Sequence, residues 1–289
     1  MSNLKQLRSR IKSIKTTQKI TKAMQLVSAT KFTKAKNQVK NSEAYIETLH
    51  KIIGNIATEN NLQDMDEKDK KFFLGNPEKP YLLIIITSER GLCGSFNFSV
   101  TKLVKADIEN LKNSSKEIKI IVIGKKGYDI IKGGYGSYID SYYDFPKFHT
   151  NDLSLKIIER LMNMIEAAEI GSCQIYFNKC KNAMVQLPSR QQIFPVTTQL
   201  TTAEDKYLSY EYEGADLIFN LFKLYISSQI NYALLHSRAS EEGARMTSMD
   251  NATKNANELI DNLTLKLNKS RQDLITNELI EIIAGVGAL

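Results

Sequence analysis

The chain has 289 residues, 42% hydrophobic and 25% charged, with 14 Gly and only 5 Pro, a composition that supports a packed core and excludes disorder as the main state. Its purely apolar runs, such as Leu82 to Ile86, fall far short of the roughly 18 residues a membrane-spanning helix needs. The formal net charge is +7, and it is concentrated at one end: eleven Lys and Arg and no acidic residue precede Glu43, which points to an anionic partner.

All five prolines lie between Pro77 and Pro195, so both ends are free to form very long helices. From the N-terminus, Leu4, Leu7, Ile11 and Ile14 recur at spacings of three and four, and Gln18, Thr21, Gln25, Ser28 and Phe32 continue the stripe. This predicts a helix over Asn3–Thr58 whose seam starts apolar and turns polar. The segment 60–79 reads as a linker. Short apolar runs follow at 81–87, 118–123, 137–143, 173–178 and 192–200, alternating with helical stretches at 98–112, 125–132 and 152–168. Branched apolar runs joined by helices predict a buried, mostly parallel sheet in an α/β domain over 80–206. Pro195, inside the last run, assigns that strand to an edge. The last segment, 207–289, contains a helix over Asp216–Ile283 with a seam of Met249, Ala252, Ala256, Leu259, Leu263, Leu267 and Leu274. Gly243 interrupts it at a cost of about 1 kcal/mol relative to Ala. Two long arms with matched periodicity should pair antiparallel as a coiled coil, with the α/β domain inserted between them.

Catalytic constellations are scarce. No phosphate-binding GxxxxGK[ST] occurs, and no GxGxxG follows a strand. The stretch SERGLCGSFN, Ser88 to Asn97, lies at the carboxyl end of the first strand, where α/β folds place ligands. It lacks a lysine and the required spacing, so it reads first as a tight turn and only second as an anion contact through Gly91 and Gly94. GGYG, Gly133 to Gly136, reads as a helix C-cap and turn. His50, His149 and His236 are far apart and suggest packing or solvent-facing roles, with no metal set. Cys93, Cys173 and Cys180 form no CxxC pair. Cys173 and Cys180 could bridge, but buried thiols are the simpler reading. The residues alone leave three classes open: an assembly subunit, an α/β enzyme with a helical arm, and a basic coiled-coil scaffold for nucleic acid. The last lacks the interleaved aromatics that stack bases.

Four strings, ITKAMQLVSATK (20–31), SERGLCGSFN, SEEGARMTSMDNATKNA (240–256) and NKSRQDLITNELIEIIAG (268–285), resemble the gamma subunit of F-type ATP synthase, in the same order along the chain. The resemblance implies a non-catalytic rotor shaft that couples proton flow to ATP synthesis or hydrolysis in an alpha–beta head. It implies partners in the alpha and beta subunits, the epsilon subunit and the ring of c subunits, with no cofactor. By residue-wise match it also implies head contacts at Met24, Arg245, Arg271, Gln272, Thr276 and Glu278, and c-ring contacts at Tyr210 and Glu211. Two positions depart from the family pattern: Val286 stands where Ala is usual, and Tyr212 where many members have Pro. With a charged helix starting at Met1 and no presequence, the resemblance implies a peripheral protein on the cytoplasmic face of a bacterial inner membrane.

Overall fold

The computed structural model describes residues 2–56, 66–146, 151–196 and 217–286. Helix α1 spans Ser2–Ile56 and helix α6 spans Leu217–Val286, the two uninterrupted helices that proline-free arms permit. Between them lie α2 (Glu67–Phe73), β1 (Tyr81–Ile86), α3 (Phe96–Asn113), β2 (Ile118–Ile123), α4 (Lys125–Tyr135), β3 (Ile139–Tyr143), α5 (Asn151–Glu166), β4 (Ser172–Cys180) and β5 (Gln186–Phe194). The chain divides into two compact units, residues 1–29 with 245–289 and residues 30–244.

The larger unit is built on one five-stranded sheet in the order β3-β2-β1-β4-β5. β1 pairs parallel with β2 and β4, and β2 with β3. β1 is apolar at every position after Tyr81 because both its faces are covered. Leu83 and Ile85 pack with Val100, Val104 and Ile108 of α3 and Ile131 of α4. Leu82, Ile84 and Ile86 face the opposite way, into a cluster with Leu161 of α5, Ile53 and Ile56 of α1, and Phe222, Tyr225 and Ile226 of α6. Burying one such side chain contributes about 1.5–3 kcal/mol.

Three expectations need correction here. The last strand runs antiparallel to β4 as a hairpin, starts at Gln186 and ends at Phe194. Its first six residues, Gln186 to Gln191, are mostly polar and hold a single large aliphatic side chain, the exposed Leu187, because an edge strand is only half covered, so they form no apolar run. It is nevertheless the edge strand: Pro188 lies within it, and Pro195 follows its last residue. Second, Gly133 and Gly134 sit inside α4, and the turn is a 3-10 helix over Gly136–Tyr138. Third, Leu259 is 51% exposed, and the half-buried seam position is Ile260, because four residues after Ala256 stay closer to the seam than three do here.

In this unit α1 and α6 run antiparallel. Lys31 meets Glu242, Ala35 clusters with Ala239, and His50 bonds Gln229. Gly243 fits this packing. A Cβ there would lie 3.1 Å from the Ala183 carbonyl oxygen and 3.2 Å from the Phe32 ring, so the glycine permits a close approach that a side chain would obstruct.

Candidate functional site

In the smaller unit, three steps along α1 meet three reverse steps along α6. Gln18 Nε2 donates to Asn257 Oδ1, the Thr21 and Thr253 hydroxyls are 2.7 Å apart, and Gln25 Nε2 donates to Asp250 Oδ1 at 2.7 Å. The predicted stripe on α1 forms this seam: Thr21 and Ser28 are buried, and Gln18 and Gln25 half-buried. The facing residues Asp250, Thr253 and Asn257 are spaced three and four apart beside the small and apolar seam positions Met249, Ala252 and Ala256, and their polar character masks them in a pattern of apolar spacing. Each hydroxyl also lies within donating distance of its own helix, Thr21 of the Gln18 carbonyl at 3.0 Å and Thr253 of the Met249 carbonyl at 2.8 Å. Two protons therefore serve three contacts, since each hydroxyl carries one. At the flank, Lys22 donates to Gln25 and Lys254 pairs with Asp250 at 2.8 Å. Lys254, then Gln25 and Lys22, hold the Asp250 carboxyl below the usual range.

The residues assigned to head contacts divide by exposure. Arg271, Gln272, Thr276 and Glu278 are exposed on α6, whereas Met24 is half-buried and Arg245 buried at 9%. Met24 lies between Ile20 and Val27, both more than half exposed, on an apolar strip at i, i+4 and i+7 beside the polar seam. Thr276 donates to the Gln272 carbonyl one turn back at 2.9 Å. Glu278, two positions further, projects to another side. Around them Ile275, Leu279, Ile280, Ile282 and Ile283 are exposed at 45–70%, an apolar surface that solvent alone does not favour. Tyr210, Glu211 and His149 lie outside the described residues.

SERGLCGSFN is a turn that the chain itself fills. It sits where the strand order reverses between β1 and β4, the usual ligand crevice of such sheets. Ser88 N–H donates to Asn97 Oδ1 at 2.9 Å, Ser88 Oγ to the Arg90 carbonyl at 2.6 Å, and Asn97 Nδ2 to Ser88 Oγ at 2.8 Å. Fully buried Asn178 of β4 donates to the Phe96 carbonyl, and Cys93 and Phe96 pack on Ala244. Leu92 and Gly94 take left-handed backbone angles, φ 65° and 57°, which close the turn. Glu89 Oε2 accepts N–H groups from Lys125 at 3.2 Å and Phe145 at 3.3 Å. A carboxylate of the chain thus occupies the first turn of α4, where a phosphate would bind in a nucleotide fold, a role the motif search missed because Glu89 belongs to no phosphate signature. Cys173 and Cys180 are not bridged; they are the second and last residues of one strand. Among the described residues, no cluster of His, Cys, Asp and Glu could hold a metal, and no helix is long and apolar enough to cross a membrane.

An α/β domain between two long helices, which pair antiparallel within each unit through polar as well as apolar contacts, defines a stalk-like mechanical subunit. The sequence profile described as ATP synthase matches residues 3–289. The ATP synthase gamma chains of Rickettsia akari and Rickettsia typhi are each 55% identical over 289 residues, covering all of both chains. The rotor of Euglena gracilis mitochondrial ATP synthase shares the fold with a TM-score of 0.65 at 16% identity, covering 95% of this chain and 99% of that one. A central-stalk and c-ring structure from Tetrahymena thermophila matches with a TM-score of 0.58 at 24% identity, over 81% of this chain and 99% of its own. The chain belongs to the ATP synthase gamma chain family, a non-catalytic central-stalk subunit of the synthase.

Proposed function

We propose that the chain turns as a shaft between the c ring and the alpha–beta head, with the epsilon subunit beside it, on the cytoplasmic face of a bacterial inner membrane. The observation that carries this reading is the seam of residues 18–28 and 250–257. Its hydrogen bonds hold two helices together at modest net strength, about 0.5–1.5 kcal/mol each, and their donors and acceptors can be exchanged. The working parts are the helix of 1–59, the linker of 60–79, the α/β domain of 80–206 and the helical segment of 207–289. Arg271 and Gln272 supply exposed donors that can form and release bonds with acidic head loops. The exposed apolar side chains from Ile275 to Ile283 supply a surface that a surrounding collar would cover. Met24, uncharged and flexible, passes a polar loop without gripping it. Arg245, buried and engaged, acts by fixing the helix surface around it. Tyr210 and Glu211 are assigned to the c ring.

The test is ATP-driven proton pumping per ATP hydrolysed in the assembled complex. Met24→Lys adds a charge-assisted bond of about 1.5–3 kcal/mol in one rotary state and should lower the pumping ratio, most strongly in the cold, while Met24→Leu leaves it near normal. Equal ratios in wild type and Met24→Lys would refute the head contact. Glu211→Lys should likewise weaken coupling and spare hydrolysis by the detached head; unchanged coupling would remove Glu211 from the c-ring contact.

A further inference from the structure

In the larger unit, three side chains from three elements form one unbroken polar chain. Gln191 on the edge strand β5 donates from Nε2 to Gln229 Oε1 on α6 at 2.5 Å. Gln229 Nε2 in turn lies 2.9 Å from His50 Nε2 on α1. Gln229 is fully buried, so its amide has no water to turn to, and both its ends must be matched by protein. With its oxygen committed to Gln191, its nitrogen faces the imidazole as a donor. His50 Nε2 must then be the acceptor, which fixes a neutral ring carrying its proton on Nδ1.

We propose that His50, Gln229 and Gln191 form a proton-responsive relay, in which a proton taken from solvent at His50 Nε2 reverses both amides and re-orders one hydrogen-bonded chain across α1, α6 and β5. Once Nε2 carries a proton, it is a donor facing the Gln229 NH₂ group, and two donors cannot bond. Rotation of the Gln229 amide places Oε1 against the imidazolium and turns its NH₂ toward Gln191. Gln191 must then rotate too, presenting Oε1 inward and its NH₂ outward. That last group is half-exposed, so water satisfies it, and no buried polar atom is stranded at either end of the relay. Both arrangements keep the side chains where they lie; the amide oxygen and nitrogen of each glutamine exchange places, and the direction of two hydrogen bonds reverses.

The surroundings leave the titration to His50. From α6 the ring meets the edge of Tyr225, with centroids 5.3 Å apart, and burial pushes that phenol up to about 12, so it stays neutral. From β5 the facing group is the Gln191 amide, because the adjacent Arg190 is paired with Asp107 on α3. On its own helix the charged neighbours are Glu47 and Lys51. His50 is exposed, so solvent reaches its ring; desolvation where it packs lowers its pKa, and the bond with Gln229 raises it.

Nuclear magnetic resonance of the full chain, labelled with ¹⁵N in histidine and glutamine side chains, tests this directly. At about pH 8, well above the ordinary histidine range, His50 is expected as the Nδ1–H tautomer. As the pH falls, the side-chain amide signals of Gln229 and Gln191 should move with the same midpoint as the His50 ring. An Nε2–H tautomer at the start, or amide signals that ignore the His50 midpoint, overturns the relay. Gln191→Glu, at a half-exposed position, provides a second reading. An acceptor-only side chain there forces the Gln229 NH₂ toward it and Oε1 toward His50, raising proton affinity at His50 about tenfold, or one pH unit. The rise should survive molar salt, which screens an effect through space; a rise that vanishes in salt, or none at all, refutes the proposal.

Discussion

The same two helices meet in two chemically different ways. In the larger unit, Ile46, Leu49, Ile53 and Ile56 of α1, and Phe222, Tyr225, Ile226, Ile230 and Ala233 of α6, are buried at 6% exposure or less. In the smaller unit the facing pairs are Gln18 with Asn257, Thr21 with Thr253 and Gln25 with Asp250. An apolar seam draws its stability from area removed from water, which is large and indifferent to direction. A seam of hydrogen bonds draws little net stability, because water offers the same bonds, yet it fixes register through donor and acceptor matching. One helix pair thus combines a foundation with a joint.

The contrast predicts unequal costs. Ile53→Ala in the apolar seam should lower unfolding free energy by about 2–5 kcal/mol, read from urea unfolding, with helical amides of the larger unit losing protection from exchange. A loss below 1 kcal/mol would mean that seam is not the foundation. Acid should act on the same unit. His236 is buried against Tyr232, its Nδ1 accepts the Cys180 N–H at 3.2 Å, and its Nε2 has no hydrogen-bond partner. Burial, then Lys179, pushes its pKa from 6.5 down to about 4. The unfolded chain therefore binds this proton more readily. Stability from the neutral ring is complete above about pH 6.5 and declines as pH falls toward about 4, by on the order of 3 kcal/mol. His236→Phe should flatten that part of the profile; an unchanged slope would place the acid sensitivity elsewhere.

Gly243→Ala should reverse the usual sign. Helix propensity favours Ala by about 1 kcal/mol, but crowding against the Ala183 carbonyl and Phe32 costs about 1–3 kcal/mol. The expected result is a less stable protein, and a stabilised one would show that the hairpin yields. The smallest effect belongs to the polar seam. Thr21→Val leaves Thr253 bonded to the Met249 carbonyl and should cost about 1 kcal/mol, confined to exchange protection of residues near the substitution. A loss matching that of Ile53→Ala would erase the distinction between the two seams.

Much of this was readable before the structure. All nine predicted stripe positions from Leu4 to Phe32 are buried or half-buried, since a long helix without proline leaves few alternatives for side chains at spacings of three and four. Strands β1, β2 and β4 were visible because their apolar runs are covered on both faces. β5 was only half visible. Its outer residues Pro188, Ser189 and Arg190 follow edge rules, and its antiparallel pairing depends on the short turn after Cys180 and not on its composition. The role of Glu89 was illegible, because only folding brings Lys125 and Phe145 to one carboxylate. Exposure on α6 separated Arg245 from Arg271, a difference that a motif match carries no trace of.

The hydroxyls of Thr21 and Thr253 hold a further consequence. With two protons for three contacts, two arrangements exist: either Thr21 gives its proton across the seam and Thr253 serves its own helix, or the reverse. They differ by two hydroxyl rotations and by the direction of a small dipole across the helix pair. A nearby charge of either sign finds one of them already suited to it. The joint is therefore electrically compliant while mechanically fixed, so that it can answer a passing charge by re-aiming two hydrogens, with the backbone left where it stands.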